Sequence, residues 1–311
     1  RFESSMTNIA SPSHLLVLVL VLLVLGVSVS ALDGFSSPAQ FPGSRFLIET
    51  ESPKKSFVAA RRARIEDHAP LSLKGGAPFD RKTFTASTCL RDHIDIMKAI
   101  PGIYDAYAGP NRLDPKTIEA IMLAVNSVNS CPYCTGLHCE LGRMAGLKDD
   151  TKRINEAKTS KELQKVTNDK MVNFARKFGE YNGRGACFEA EYQELVKSVG
   201  KGKANAIKSL CWFLHWGSIS GNTLLSFYRG RLSGNPKKGS NLIFEILFAL
   251  YYTPLYLLIT ATTCILKVFP ANVPRVLSMS MGCVLATIAS LKIVPMGILG
   301  VVTSPFRKKQ A

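Results

Sequence analysis

Nowhere across residues 87–230 do apolar and polar residues keep up a period-two alternation, so that stretch offers no sheet. The periodicity that exists is helical, and the fold class expected is all-α. Acidic residues are scarce beside basic ones, 23 against 39, which leaves a net charge of +16. The lysines and arginines are dispersed or flank apolar runs, and no nucleic-acid-binding module accompanies them, so nucleic acid is not an expected partner. Cysteine is also sparse: eight in a chain of this length do not make a disulfide scaffold. Cys89, Cys139, Cys187, Cys211, Cys264 and Cys283 are scattered and are expected to be buried free thiols. Only Cys131 and Cys134 have a spacing that suggests joint use.

Residues 131–138 read Cys-Pro-Tyr-Cys-Thr-Gly-Leu-His. Pro132 suits a first helical turn, which places Cys131 at the N-cap and Cys134 inside that turn. The free N–H groups and positive dipole end there favour a thiolate. His138 lies one turn after Cys134 on the same face, and Gly146 suits the helix end. An earlier helix is expected to start at Asp114-Pro115, with apolar positions at Ile118, Ile121, Met122 and Val125. In a hairpin turning near Asn129, Glu119 stands roughly 15 Å above the turn and His138 roughly 10 Å, at about 1.5 Å per residue. A carboxylate holding a histidine that serves a thiol is an activated-nucleophile arrangement. Glu119 as a solvated helix residue is the plainer alternative. A zinc site of Cys131, Cys134, His138 and Cys139 is another, although Cys139 points about 80° away from Cys131 on a regular helix. Haem attachment is excluded, because Thr135 stands where a histidine is needed.

The pattern Glu-x11-Cys-x-x-Cys-x-x-x-His, preceded by Leu-Asp-Pro-Lys-Thr-Ile-Glu and followed by Arg-Met-Ala-Gly, resembles the alkylhydroperoxidase D / carboxymuconolactone decarboxylase family over residues 113–147, and more loosely over 90–230. The resemblance implies an all-α redox domain that assembles as a homo-oligomer. It implies Cys134 as the thiol that attacks a hydroperoxide, Cys131 as the resolving thiol, and His138 with Glu119 as a proton relay. No bound cofactor is implied, but an external dithiol protein must reduce the disulfide. Bacterial members use a lipoylated protein, which does not carry over to this chain. Tyr133 departs from the pattern, since the best-studied peroxidases of the family have a second histidine there. Dithiol–disulfide exchange, or a non-catalytic redox-sensing subunit, therefore stand as alternatives. His215, in the aromatic segment Leu210–Trp216, is either a support for the site or a hydrogen-bonded core residue.

The flanking sequence suggests membranes. Residues 15–25 form a Leu/Val run ending in small residues, read as a signal peptide over 1–31, with an uncleaved anchor as the alternative. Residues 32–85, rich in Ser, Pro, Gly and basic residues, are expected to lack a packed fold. Together they resemble the bipartite presequences of algae with complex plastids; a luminal linker on the secretory route is the alternative. The folded domain is expected over 86–230, with helices near 90–100, 103–109, 115–129, 132–145, 151–159, 161–178, 187–199 and 203–229. Over 231–311, two apolar segments at about 242–266 and 276–302 are expected to form a membrane hairpin, with Pro254 and Lys292 as interruptions.

Overall fold

The computed structural model describes residues 80–147 and 150–307, with backbone alone for 304–307. The signal peptide and nearly all of the extension expected before residue 80 lie outside them. Among the described residues the fold is helical, without strands. It opens earlier than expected: Phe84 is buried, its N–H donates to Thr223 Oγ1 (2.8 Å), and its ring packs near His93 and Phe248.

Helix α1 (Ala86–Ala108) begins with a capping box between Thr85 and Thr88 and continues through Pro101, where the sequence suggested a break. Packing against later helices on two sides overrides the proline, whose cost is local. Helix α2 (Pro115–Asn129) starts where Asp114 accepts the Lys116 N–H at 3.0 Å, and ends at Ser130 in the left-handed region, φ 55°. Helix α3 (Pro132–Ala145) has Cys131 as N-cap and closes on Gly146 at φ 88°. Helices α4 (Asp150–Glu156), α5 (Ser160–Val166), α6 (Lys170–Tyr181), α7 (Ala186–Val199) and α8 (Lys201–Leu225) follow. The single helix expected over 161–178 is two, because Asp169 accepts the Met171 and Val172 N–H groups and caps α6. Helix α8 runs into a π-helical turn, Ser226–Gly230.

The two apolar runs form α9 (Leu242–Leu266) and α10 (Arg275–Arg307), each long and apolar enough to cross a membrane by length and composition. They do not stand apart from the domain. Helix α9 packs on α3 and α8, α10 packs along α1, and they share few contacts with each other. The α1–α10 approach is close at two glycines: a Cβ on Gly297 would lie 3.0 Å from the His93 carbonyl, and one on Gly300 2.6 Å from that of Leu90. The turn between α9 and α10 is fastened to the end of α3. The Arg143 guanidinium donates to the Leu266 and Phe269 carbonyls (both 2.9 Å), and the Val273 N–H donates to the Met144 carbonyl at 2.9 Å. Further along, the Tyr251 hydroxyl donates to the Lys292 carbonyl (3.1 Å), and the Lys292 ammonium sits 4.5 Å over the Tyr251 ring. Lys292 thus has a protein partner within the apolar pair. The outward faces leave Ile243, Leu247 and Leu250 of α9, and Val276, Leu291 and Val302 of α10, exposed.

The scattered cysteines divide. Cys89 and Cys211 are buried as expected, Cys139 and Cys283 are half-buried, and Cys187 and Cys264 are exposed. Cys264 faces outward on α9 and Cys187 lies in the first turn of α7, positions where an apolar or small residue need not be covered.

Candidate active site

The α2–α3 turn is fixed by asparagines. Asn126 Oδ1 accepts the Cys131 N–H (3.1 Å) and the Ser218 hydroxyl (3.2 Å), while its Nδ2 donates to Thr135 Oγ1 at 2.8 Å. Asn222 Nδ2 donates to the Asn129 carbonyl at 2.7 Å. With the turn held, the two helices bring Glu119 against His138, Oε2 to Nδ1 at 2.8 Å. Both are buried, so Glu119 is not a solvated helix residue. An ionised carboxylate assigns the proton to Nδ1, which donates, and leaves the Nε2 lone pair available.

The two sulfurs differ in surroundings. Cys131 is 0% exposed and Cys134 7%. Helix α8 passes them with small residues, and a Cβ on Gly221 would stand 2.7 Å from Cys131 Sγ and 3.0 Å from the Tyr256 ring. Cys131 is therefore sealed beneath α8 and α9. Burial alone would push its thiol up. The Cys134 side chain, the Cys134 and Tyr133 N–H groups at the helix start and the Arg81 charge outweigh burial and hold it below the ordinary thiol range. Cys134 is pushed well up, first by the hydrogen bond it shares with Cys131, then by burial and the Cys131 charge, with Ser218 opposing. Of the two hydrogen-bonded thiols, Cys131 is thus the more acidic and Cys134 the less.

Cys134 and His138 line one cavity of about 70 Å³. Tyr107 of α1 and Trp216 of α8 close part of it, and the middles of α9 (Leu255–Ile259) and α10 (Leu285–Ala289) close the rest. Apart from sulfur, imidazole and the tyrosine ring positions, the lining is hydrocarbon. Tyr133, between the cysteines, packs on Tyr256 with ring centroids 5.0 Å apart. In this chain the position holds α9 over the site.

His215 lies in the core rather than on the cavity. Its Nδ1 is 3.4 Å from Asn129 Nδ2, its ring packs edge-on to Phe178 and Trp212, and burial lowers its pKa to about 3. It supports the turn before Cys131 but does not reach the sulfurs. Cys139 is half-buried, its thiol raised to about 11 by burial and then Glu140. Among the described residues no group of three or more His, Cys, Asp or Glu side chains is placed to hold a metal ion, which leaves the zinc alternative without geometric support. The sequence reading missed Asn126, Ser218 and the α9–α10 wall. Asn126 carried a signal, as the first polar residue after the apolar run Ala120–Val125. The small segment Gly217-Ser218-Ile219-Ser220-Gly221 carried another, since small residues let a second helix approach the sulfurs.

The site and fold together define a helical dithiol site supported by a buried histidine–glutamate pair. Residues 95–157, which bear it, match the model of the Carboxymuconolactone decarboxylase family. That match spans the second half of α1 and all of α2, α3 and α4. No curated protein and no solved structure matches the chain.

Proposed function

We propose that the protein is a membrane-associated, thiol-dependent hydroperoxide reductase. The observation that carries the reading is the convergence of Cys134, its partner Cys131 and the Glu119-held His138, with both Cys134 and His138 on one cavity. His138 Nε2 takes the Cys134 proton, and the Cys134 thiolate attacks the O–O bond of ROOH. That bond breaks, sulfur bonds to the distal oxygen as a sulfenic acid, and the RO⁻ leaving group recovers the proton from His138 as ROH. Cys131 then gives up its own proton and attacks the Cys134 sulfur; the S–OH bond breaks, and the hydroxide leaves as water with that proton. The sum is ROOH plus two thiols giving ROH, water and a disulfide, and an external dithiol returns the pair to the reduced state. Proximity makes the second step fast.

Exchange with a protein disulfide is the weaker reading, because the more acidic thiol, Cys131, is sealed and only Cys134 meets the cavity. Membrane association rests on the length and composition of α9 and α10 and on their exposed apolar faces.

The test is a thiol count on the reduced full chain before and after one equivalent of organic hydroperoxide. Wild type is expected to lose two thiols, Cys134→Ser none, and His138→Ala two at a rate lower by roughly 10²-fold. Survival of all thiols in wild type would make the site structural; rapid reduction of a disulfide substrate with no peroxide reaction would move the assignment to disulfide exchange.

A further inference from the structure

We infer that α9 and α10 form a chain-binding subsite, and that the substrate is a hydroperoxide on a long apolar acyl chain taken from a membrane. This inference rests on the peroxidase reading above and adds its substrate class. The wall facing Cys134 comes from Leu255, Leu258 and Ile259 of α9 and from Leu285, Ile288 and Ala289 of α10. None of these side chains offers a hydrogen bond. A small polar peroxide would give up water on this wall with nothing in return, whereas each buried methylene of a chain strengthens binding roughly fourfold.

The architecture also supplies a route. Helices α9 and α10 are tied together at Tyr251–Lys292 and by the turn bound to Arg143, and between those ties the cavity separates them. The cavity therefore lies midway along both helices, where Leu258, Ile259, Leu285 and Ile288 are only half-buried. At the Tyr251–Lys292 end of this gap the outer faces are apolar, with Leu250 72% and Leu291 70% exposed. A lipid chain lying on those faces is next to the gap. Cys131 has no exposure, so the hydroperoxide group meets Cys134 first, and its chain trails out between the helices. These walls lie outside the family-matched segment, and the subsite is a property of this chain's own C-terminal helices.

The experiment uses the full-length protein in detergent micelles and follows single-turnover loss of the two thiols. The oxidants are an 18-carbon fatty-acid hydroperoxide, tert-butyl hydroperoxide and hydrogen peroxide. The acyl-chain hydroperoxide is expected to react faster than either small oxidant by about tenfold or more. In Leu258→Trp and Ile288→Trp, which fill the gap, that preference is expected to shrink to about twofold or less. Enrichment of the chain in micelles affects wild type and variants alike, so a change in preference reports the gap. If tert-butyl hydroperoxide matches the acyl chain in wild type, or both variants keep the wild-type preference, this inference falls and the peroxidase reading stands. If no hydroperoxide oxidises the pair, both fall.

Discussion

Cys131 and Cys134 share a hydrogen bond, and that bond together with the N–H groups at the helix start makes the sulfur that cannot reach substrate the more acidic one. The thiol on the cavity is the one whose pKa is raised, so at a given pH less of it is thiolate than of an ordinary cysteine. Oxidation of the wild type should therefore accelerate as pH rises through and beyond the ordinary thiol range near 8.5. Replacing Cys131 by Ser removes the neighbouring charge that contributes to the rise. The pH profile of Cys134 oxidation, read by trapping its sulfenic acid, should then move to lower pH. A profile that stays put would mean burial alone sets the Cys134 pKa. Glu119 acts one atom further out. Glu119→Gln keeps the size of the side chain but removes the charge that fixes the His138 tautomer, and should slow thiol loss by roughly 10- to 100-fold with helix content by circular dichroism unchanged. An unaltered rate would make the pair structural.

At the scale of elements, three Cys-x-x-x-His pairs lie on helices; Cys211 and His215 of α8 are both in the core, and the other two have different fates. Cys134 and His138 meet Glu119 and a cavity. Cys89 and His93, at the same spacing on α1, meet a closed knot. His93 Nδ1 donates to the Cys89 carbonyl at 2.6 Å, and Nε2 accepts the Trp216 N–H at 2.9 Å and also faces the Tyr252 hydroxyl. That one ring ties α8 and α9 to α1. The spacing is legible in the sequence, but the third partner that decides between chemistry and packing arrives from distant segments and is not. Caps show the same contrast: Asp114-Pro115, Pro132 and Gly146 act locally and mark α2 and α3 correctly, whereas Pro101 is overridden by helices more than a hundred residues away. Asp169 was a readable cap concealed by the helical pattern around it.

The knot has a pH consequence. Burial chiefly lowers His93 to about 4 and His215 to about 3, below the ordinary 6.5. The unfolded chain therefore binds protons before the folded one does, and the stability from keeping these rings neutral is present above pH 6.5 and lost as pH falls toward 4. The slope is about 1.4 kcal/mol per pH unit for each ring. Urea midpoints measured at steps from pH 7 to 4 should fall accordingly, and His93→Gln should start lower and fall less steeply. Equal slopes in both proteins would show that His93 is not protonated on unfolding.

For the whole molecule, the C-terminal pair is the part that sequence could locate but not place. Both helices are apolar nearly all round, so no stripe distinguishes the side that meets protein from the side that meets lipid, and a detached hairpin and a docked wall look alike. The structure assigns the inner sides to the site: Tyr256 lies over Cys131 and against Tyr133, and Gly282 of α10 takes the Tyr107 ring in close approach, a Cβ there standing 2.1 Å from it. Deleting residues 241–311 removes that cover. In the full chain Cys131 should react with a bulky maleimide only after denaturation, while Cys187 and Cys264 label at once because both are exposed. In the truncated chain Cys131 should label in the native state, and the uncovered faces of α1, α3 and α8 should bind a hydrophobic dye and drive association. Peptide mapping of the labelled cysteines separates these sites. A truncated protein that associates no further than the full chain, with Cys131 as slow to label as before, would show that α8 alone seals the resolving thiol and that the apolar pair serves the membrane without serving the site.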